Sequence, residues 1–154
     1  TGDPTMPTPR PTFRELTRDE SLALLARNQV GRLAFAYQDR LDIEPIHYTY
    51  ADGWLYGRTT PGTKLEALSH NRWVAFEVDE IDARFDWRSV VVKGAVYLLR
   101  ADGSEVERAQ YATGVKMVRQ VVPEAFTPED PLPERAILFR IHVDELTGRA
   151  ATTR

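Results

Sequence analysis

Between Val30 and Val143 the chain returns again and again to a two-residue period, apolar side chains alternating with polar or small ones and each run closed by a short polar stretch. This pattern limits the fold more than any other feature. A period of two sends successive side chains to opposite faces, as a half-buried strand requires and a helix forbids. Six such runs are present. In the first, Leu33, Phe35 and Tyr37 alternate with Arg32, Ala34 and Ala36 before the polar turn Gln38-Asp39-Arg40. A second runs from Ile43 to Tyr50, Ala51-Asp52-Gly53 makes a hairpin turn, and a third runs from Trp54 to Thr59, so a three-stranded meander is expected here. The fourth covers Trp73 to Asp79, with a charged loop expected from Glu80 to Asp86. The fifth, Arg88 to Leu99, is the longest β-branched run, and Gly94 inside it predicts a bulge or tight bend. The sixth, Ala136 to Val143, places Ile137, Phe139, Ile141 and Val143 on one face.

Helices interrupt this pattern at three places. Thr17-Arg18-Asp19-Glu20 forms a capping box that opens a helix ending near Asn28, with Leu22, Leu25 and Ala26 as its apolar face. A short helix is expected over Thr63 to His70. Ser104-Glu105-Val106-Glu107 caps a third, running to about Val121 and followed by a proline-broken loop from Pro123 to Pro133. Six strands with short turns and a few outlying helices predict a mainly β (β+α) fold. An antiparallel barrel, closed or nearly so, is favoured because closure removes exposed strand edges.

With 154 residues and 42% hydrophobic side chains the chain can bury one core unaided, so a single domain is expected over residues 15–150. Residues 1–14, proline-rich at their start, read as a flexible arm and residues 151–154 as a tail. The absence of cysteine excludes disulfides, thiolate nucleophiles and iron–sulfur ligation, leaving redox chemistry to an organic cofactor or haem. A net charge of −3 with interspersed signs argues against nucleic acid as a partner. No apolar run approaches the roughly 20 residues of a membrane span, and the chain reads as cytoplasmic.

The segment carrying the most chemistry joins the third strand to the second helix. Gly57-Arg58-Thr59-Thr60 is followed by the turn Pro61-Gly62 and by Thr63-Lys64-Leu65. Two cations, several hydroxyls and the amides of a helix N-terminus within a few residues are what a phosphate monoester requires. The same residues also fit a plain capping box, Thr63 to Glu66, flanked by solvated Arg58 and Lys64. Local chemistry leaves both readings open.

The runs Val30-Gly31-Arg32-Leu33-Ala34-Phe35, Pro45-Ile46-His47-Tyr48, Tyr56-Gly57-Arg58-Thr59, Gly62-Thr63-Lys64-Leu65, Val74-Ala75-Phe76-Glu77-Val78-Asp79, Trp87-Arg88-Ser89-Val90 and Leu146-Thr147-Gly148-Arg149 resemble, in order, the pyridoxamine 5′-phosphate oxidase-like flavin-binding split barrels. The similarity is to their nitroimidazole-resistance-type branch. It implies a six-stranded split β-barrel and a homodimer with flavin mononucleotide (FMN) between subunits. Arg58, Thr59, Thr60 and Lys64 would hold the phosphate, Thr63 would be a further cofactor-binding residue, the backbone of Pro45, Ile46, His47 and Tyr48 would lie along the flavin ring, and Trp87 would border the ring or the substrate space. Branch members often carry histidine where this chain has Thr63, which counts against a drug-reducing role. The tail lacks the arginine motif of true pyridoxamine phosphate oxidases, which counts against vitamin B6 oxidation.

Other constellations are weaker. His47, His70 and His142 lack any metal-ligand spacing, so no metal site is expected. Glu77 interrupts an apolar strand and is a candidate acid–base group, although a salt bridge across a dimer or an outward-facing strand position explains it better. The reading that follows is a flavin-dependent oxidoreductase acting on a small molecule, with no catalytic side chain assigned. The alternatives are a non-catalytic flavin- or haem-binding module and a deazaflavin-dependent reductase on the same fold.

Overall fold

The computed structural model describes residues 10–153. Among them the chain forms, in order, β1 (Pro11–Glu15), α1 (Arg18–Arg27), β2 (Val30–Tyr37), β3 (Arg40–His47), β4 (Thr49–Ala51), β5 (Trp54–Thr59), α2 (Thr63–His70), β6 (Trp73–Ala83), β7 (Asp86–Leu98), α3 (Glu105–Val118), β8 (Ile137–His142) and β9 (Glu145–Thr153). All pairings are antiparallel. The path across the sheet is β3-β2-β6-β7-β8-β5-β4, with β9 on β7 and β1 on β9. This is the split β-barrel, with nine strands rather than six.

The ladder does not close, and the reason is local. β3 and β4, at opposite ends of the path, are consecutive in the chain and joined by the single residue Tyr48. The expected strand from Ile43 to Tyr50 is therefore two strands, and the meander is two separate hairpins: β2–β3 and β4–β5. Tyr48 makes the break permanent. Its ring is buried edge-on to Phe76 at 5.0 Å, and its hydroxyl donates to the Leu25 carbonyl at 2.7 Å. Burial pushes that hydroxyl's pKa above the usual phenol range.

A second kink balances the first. One edge of β7 pairs with β9 over Trp87–Lys93 and then with β8 over Val96–Leu98. Gly94 lies at the changeover, where a Cβ would run into the backbone carbonyl of His142. The predicted bend is thus a close backbone approach between strands.

Inside the barrel, Leu33, Phe76, Val78, Val90, Val92 and Ile141 pack with Leu24 and Leu25 of α1. Outside it, α3 and the following loop cover Tyr56 and Leu138 with Val118 and Ala125. Both capping boxes form as expected, at Thr17/Glu20 and Ser104/Glu107.

Several boundaries move. In α1 Leu24 is buried and Ala26 exposed, because the helix turns its 21-24-25 stripe inward. α3 ends at Val118. The expected charged loop is mostly strand, since β6 runs to Ala83 and only Arg84-Phe85 turn; cross-strand pairing of Glu80 with Arg88 supports it. The arm expected through residue 14 includes β1 from Pro11 on, and the expected tail from 151 belongs to β9, because the two pair from Pro11↔Thr153 to Glu15↔Arg149. The rest of the arm, residues 1–9, lies outside the described residues.

Candidate functional site

Strand alternation decides what β5 can offer. Leu55 faces the inner core and Tyr56 the α3 side, so Arg58 follows Tyr56 while Thr59 faces the other way. The Arg58 guanidinium is buried on the α3 side, forked onto Asp130 with N–O distances of 2.6 and 2.9 Å. It also donates, at 3.4 Å, to the carbonyls of Leu132 and Arg135, and lies 5.3 Å from the centre of the Phe126 ring. Asp130 in turn accepts from the amides of Phe126 (2.8 Å) and Leu132 (2.9 Å). The Arg58 guanidinium, with those amides, holds the carboxyl well below the usual range. Arg58 was expected as a phosphate ligand; its side chain instead fastens the 126–135 loop to β5.

That loop forms one wall of an open cleft of about 440 Å³, within the usual size range of ligand sites. Its lining includes seven of the ten expected residues: Pro45, Ile46, Arg58, Thr59, Thr60, Thr63 and Lys64. α2 starts here. Its N-cap is Gly62, at φ 147°, which supplies no side-chain cap, so the predicted Thr63–Glu66 box does not form. The Glu66 carboxylate accepts instead from the Tyr37 hydroxyl at 3.3 Å. The first-turn amides of α2 thus keep their donor capacity at an end where the helix dipole favours an anion. Lys64 pairs with Glu44 across the cleft. Glu44, Pro61, Gly62, Glu134 and Arg135 complete the lining. No sequence signal marked Glu134 or Arg135, which follow a loop with neither period nor motif.

His47 and Tyr48 line a narrower adjoining crevice with Tyr56, Val118, Leu132 and Arg135. Gly57 permits this junction, since a Cβ there would meet Phe139 at 2.8 Å and the His47 carbonyl at 3.4 Å. Trp87 is elsewhere: it pairs with Ile81 and Ala151 and lies 6.2 Å from the Phe13 ring.

The hydroxyls, amides and cations of the cleft suit a phosphate ester, and the strand backbone at Pro45–Ile46 offers it a wall. Glu77 lies apart, on the outer face of β6. It accepts from the Ser89 hydroxyl at 3.1 Å and lies 3.7 Å from Arg32, which is also 3.5 Å from Asp79. Burial, then the neighbouring Asp79 carboxylate, push the Glu77 pKa up to about 7.

Comparison with known proteins fits this geometry. The family model described as pyridoxamine 5′-phosphate oxidase matches residues 17–150. A Rhizobium meliloti protein is 30% identical over 147 residues, covering 90% of this chain and 95% of its own length. The crystal structure of a FAD-binding protein from Mesorhizobium loti superposes with a TM-score of 0.72 at 31% identity, covering 89% of this chain and 96% of that one. A FAD-binding protein of Mycobacterium smegmatis shares the fold, with a TM-score of 0.65 at 24% identity over 89% of this chain and 99% of that one. Among the described residues no helix is long and apolar enough to cross a membrane.

Proposed function

This chain belongs to the pyridoxamine 5′-phosphate oxidase family, and from that premise we propose that it binds flavin mononucleotide, free or as the FMN half of FAD, and serves as a flavin-dependent oxidoreductase. The observation that carries the reading is the cleft at the start of α2, where Thr59, Thr60, Thr63 and Lys64 meet an uncapped helix terminus. A phosphate dianion there is met by the first-turn amides, hydroxyl donors and a cation. Arg58 supports the site through Asp130 rather than by contact.

The flavin supplies hydride or electron transfer, while the chain positions it and excludes water from one face. In this reading the backbone of Pro45–Tyr48 lies along the ring. Trp87, absent from the cleft within one chain, borders the ring from a second copy. What supports such a homodimer is the outer sheet face, where Leu41, Ile43 and Trp73 are exposed around Ala34 and Ala75, an apolar group that a second copy would cover.

The test is titration of purified protein with FMN, FAD and riboflavin. Phosphate-bearing flavins bind tightly with visible flavin bands and riboflavin binds at least about tenfold more weakly, by the worth of one charge-assisted hydrogen bond. Equal affinity for riboflavin, or a protein that takes up haem and no flavin, overturns the reading. Turnover with a nicotinamide donor and an artificial acceptor separates an enzyme from a carrier.

A further inference from the structure

With Arg58 committed to Asp130, the cleft holds two other cations, and they differ. Lys64, at the α2 wall, is paired with Glu44. Arg135, on the opposite wall just before β8, has no carboxylate oxygen of the described residues within 4.0 Å of its guanidinium, and its side chain makes no hydrogen bond to them. Yet its backbone is held from both sides. The amide donates to the Leu132 carbonyl at 3.0 Å, and the carbonyl accepts from Arg58 at 3.4 Å. Asp130, gripping the Leu132 amide, completes the brace. Leu132, Arg58 and Asp130 thus fix the place of a half-buried cation that lacks a partner among the described residues, an arrangement that favours a bound anion.

The position of Arg135 indicates which anion. It lines the main cleft together with Thr59–Lys64 and also lines the adjoining crevice beside His47 and Tyr56. A phosphate seated on the α2 terminus is met from one wall of the cleft, and Arg135, on the other wall, is left for an anion carried further along the same ligand. A guanidinium fork is suited to bidentate contact with phosphate oxygens.

We infer that Arg135 binds the second phosphate of a pyrophosphate-bearing ligand, which makes the site selective for the flavin dinucleotide over the mononucleotide. This rests on the cleft being a flavin-phosphate site. Arg58 and Asp130 are then positioning residues for Arg135.

The experiment measures FAD and FMN affinity by calorimetry for the wild type, Arg135→Ala and Arg135→Lys, with circular dichroism confirming the fold. One lost charge-assisted contact predicts a drop of about tenfold or more in FAD affinity for Arg135→Ala, with FMN within about twofold. Arg135→Lys retains charge without the fork and falls between. Equal losses for FAD and FMN, or an unchanged FAD affinity, overturn the inference. Inorganic pyrophosphate and phosphate, assayed by thermal shift, separate this from the flavin reading. Pyrophosphate preferred by about tenfold in the wild type and not in Arg135→Ala supports the second anion position even if no flavin binds. No preference in the wild type overturns it.

Discussion

The β6–β7 hairpin and the α2 cleft are both rich in charge, and they handle it differently. At the hairpin Glu80 accepts from Arg27 at 2.6 and 2.8 Å, from Asn28 at 2.8 Å and from Arg88 at 3.0 Å. Arg88 also reaches Asp82 at 2.6 Å and Asp86 at 3.5 Å. Each of these cations has an anion, and Arg27 foremost holds the Glu80 carboxyl down at about 2. The cleft is left partly open, since Arg58 and Lys64 have carboxylate partners but its helix end has no cap. Two helices carry complete capping boxes, whereas the helix that starts there has none, and Arg135 has a braced backbone but no carboxylate partner among the described residues. A closed network spends its donors on the fold. An open one keeps them for a ligand.

The sharpest way to break this contrast is at the closed pair that supports the open site. Asp130→Ala strands the buried Arg58 charge and is expected to cost about 3–5 kcal/mol in denaturant unfolding at pH 7. Because the folded carboxyl titrates below its unfolded value of about 4, its stabilisation is fully present above that value and fades as pH falls further. The gap between variant and wild type therefore narrows at pH 3, and a gap that is constant with pH refutes the role. Lys64→Ala has the opposite signature. FMN affinity falls about tenfold or more, the worth of a charge-assisted contact, while unfolding shifts by less than about 1 kcal/mol. A large loss of stability with unchanged FMN binding would place Lys64 among the closed network instead.

Smaller effects sharpen the hairpin side. Arg88→Ala removes half-exposed pairs worth about 1 kcal/mol together, and 1 M salt should erase most of the difference in melting temperature. Glu77, three residues before Glu80 on the same strand, titrates in the other direction. Its folded pKa is raised to about 7, so folding weakens as pH climbs from the unfolded carboxylate value toward 7. Glu77→Gln is expected to raise the melting temperature by only about 1–2 °C at pH 8, given its partial exposure, and to leave it unchanged at pH 5. An equal shift at both pH values would show that the carboxyl is not perturbed.

Much of the fold was legible because it is written in neighbouring residues. The limits of β5 and α2 and both capping boxes follow from spacing of four residues or fewer. What was missed depends on distant partners. β9 does not read as a strand, its last residues from 151 reading as a tail, and its Gly148 is needed because a Cβ there would strike Ser21 and Leu16 of the α1 region. β1 has no period and exists because β9 offers it an edge. At the site, the turn proposed to bind an anion was visible as a cluster within seven residues, but the fate of Arg58 was not. Its partner Asp130 is 72 residues away.

The sequence alone therefore determined a β-rich chain with cations, hydroxyls and a helix start gathered over Arg58–Lys64, since period, capping and turn propensity act over a few residues. Only the tertiary structure decided that Tyr48 splits the barrel, that the predicted bend at Gly94 is where β7 passes from β9 to β8, that Arg58 serves the loop, and that Arg135 lines the cleft. Those outcomes depend on which strands share an edge and which buried charges must find a partner, and no local pattern encodes either.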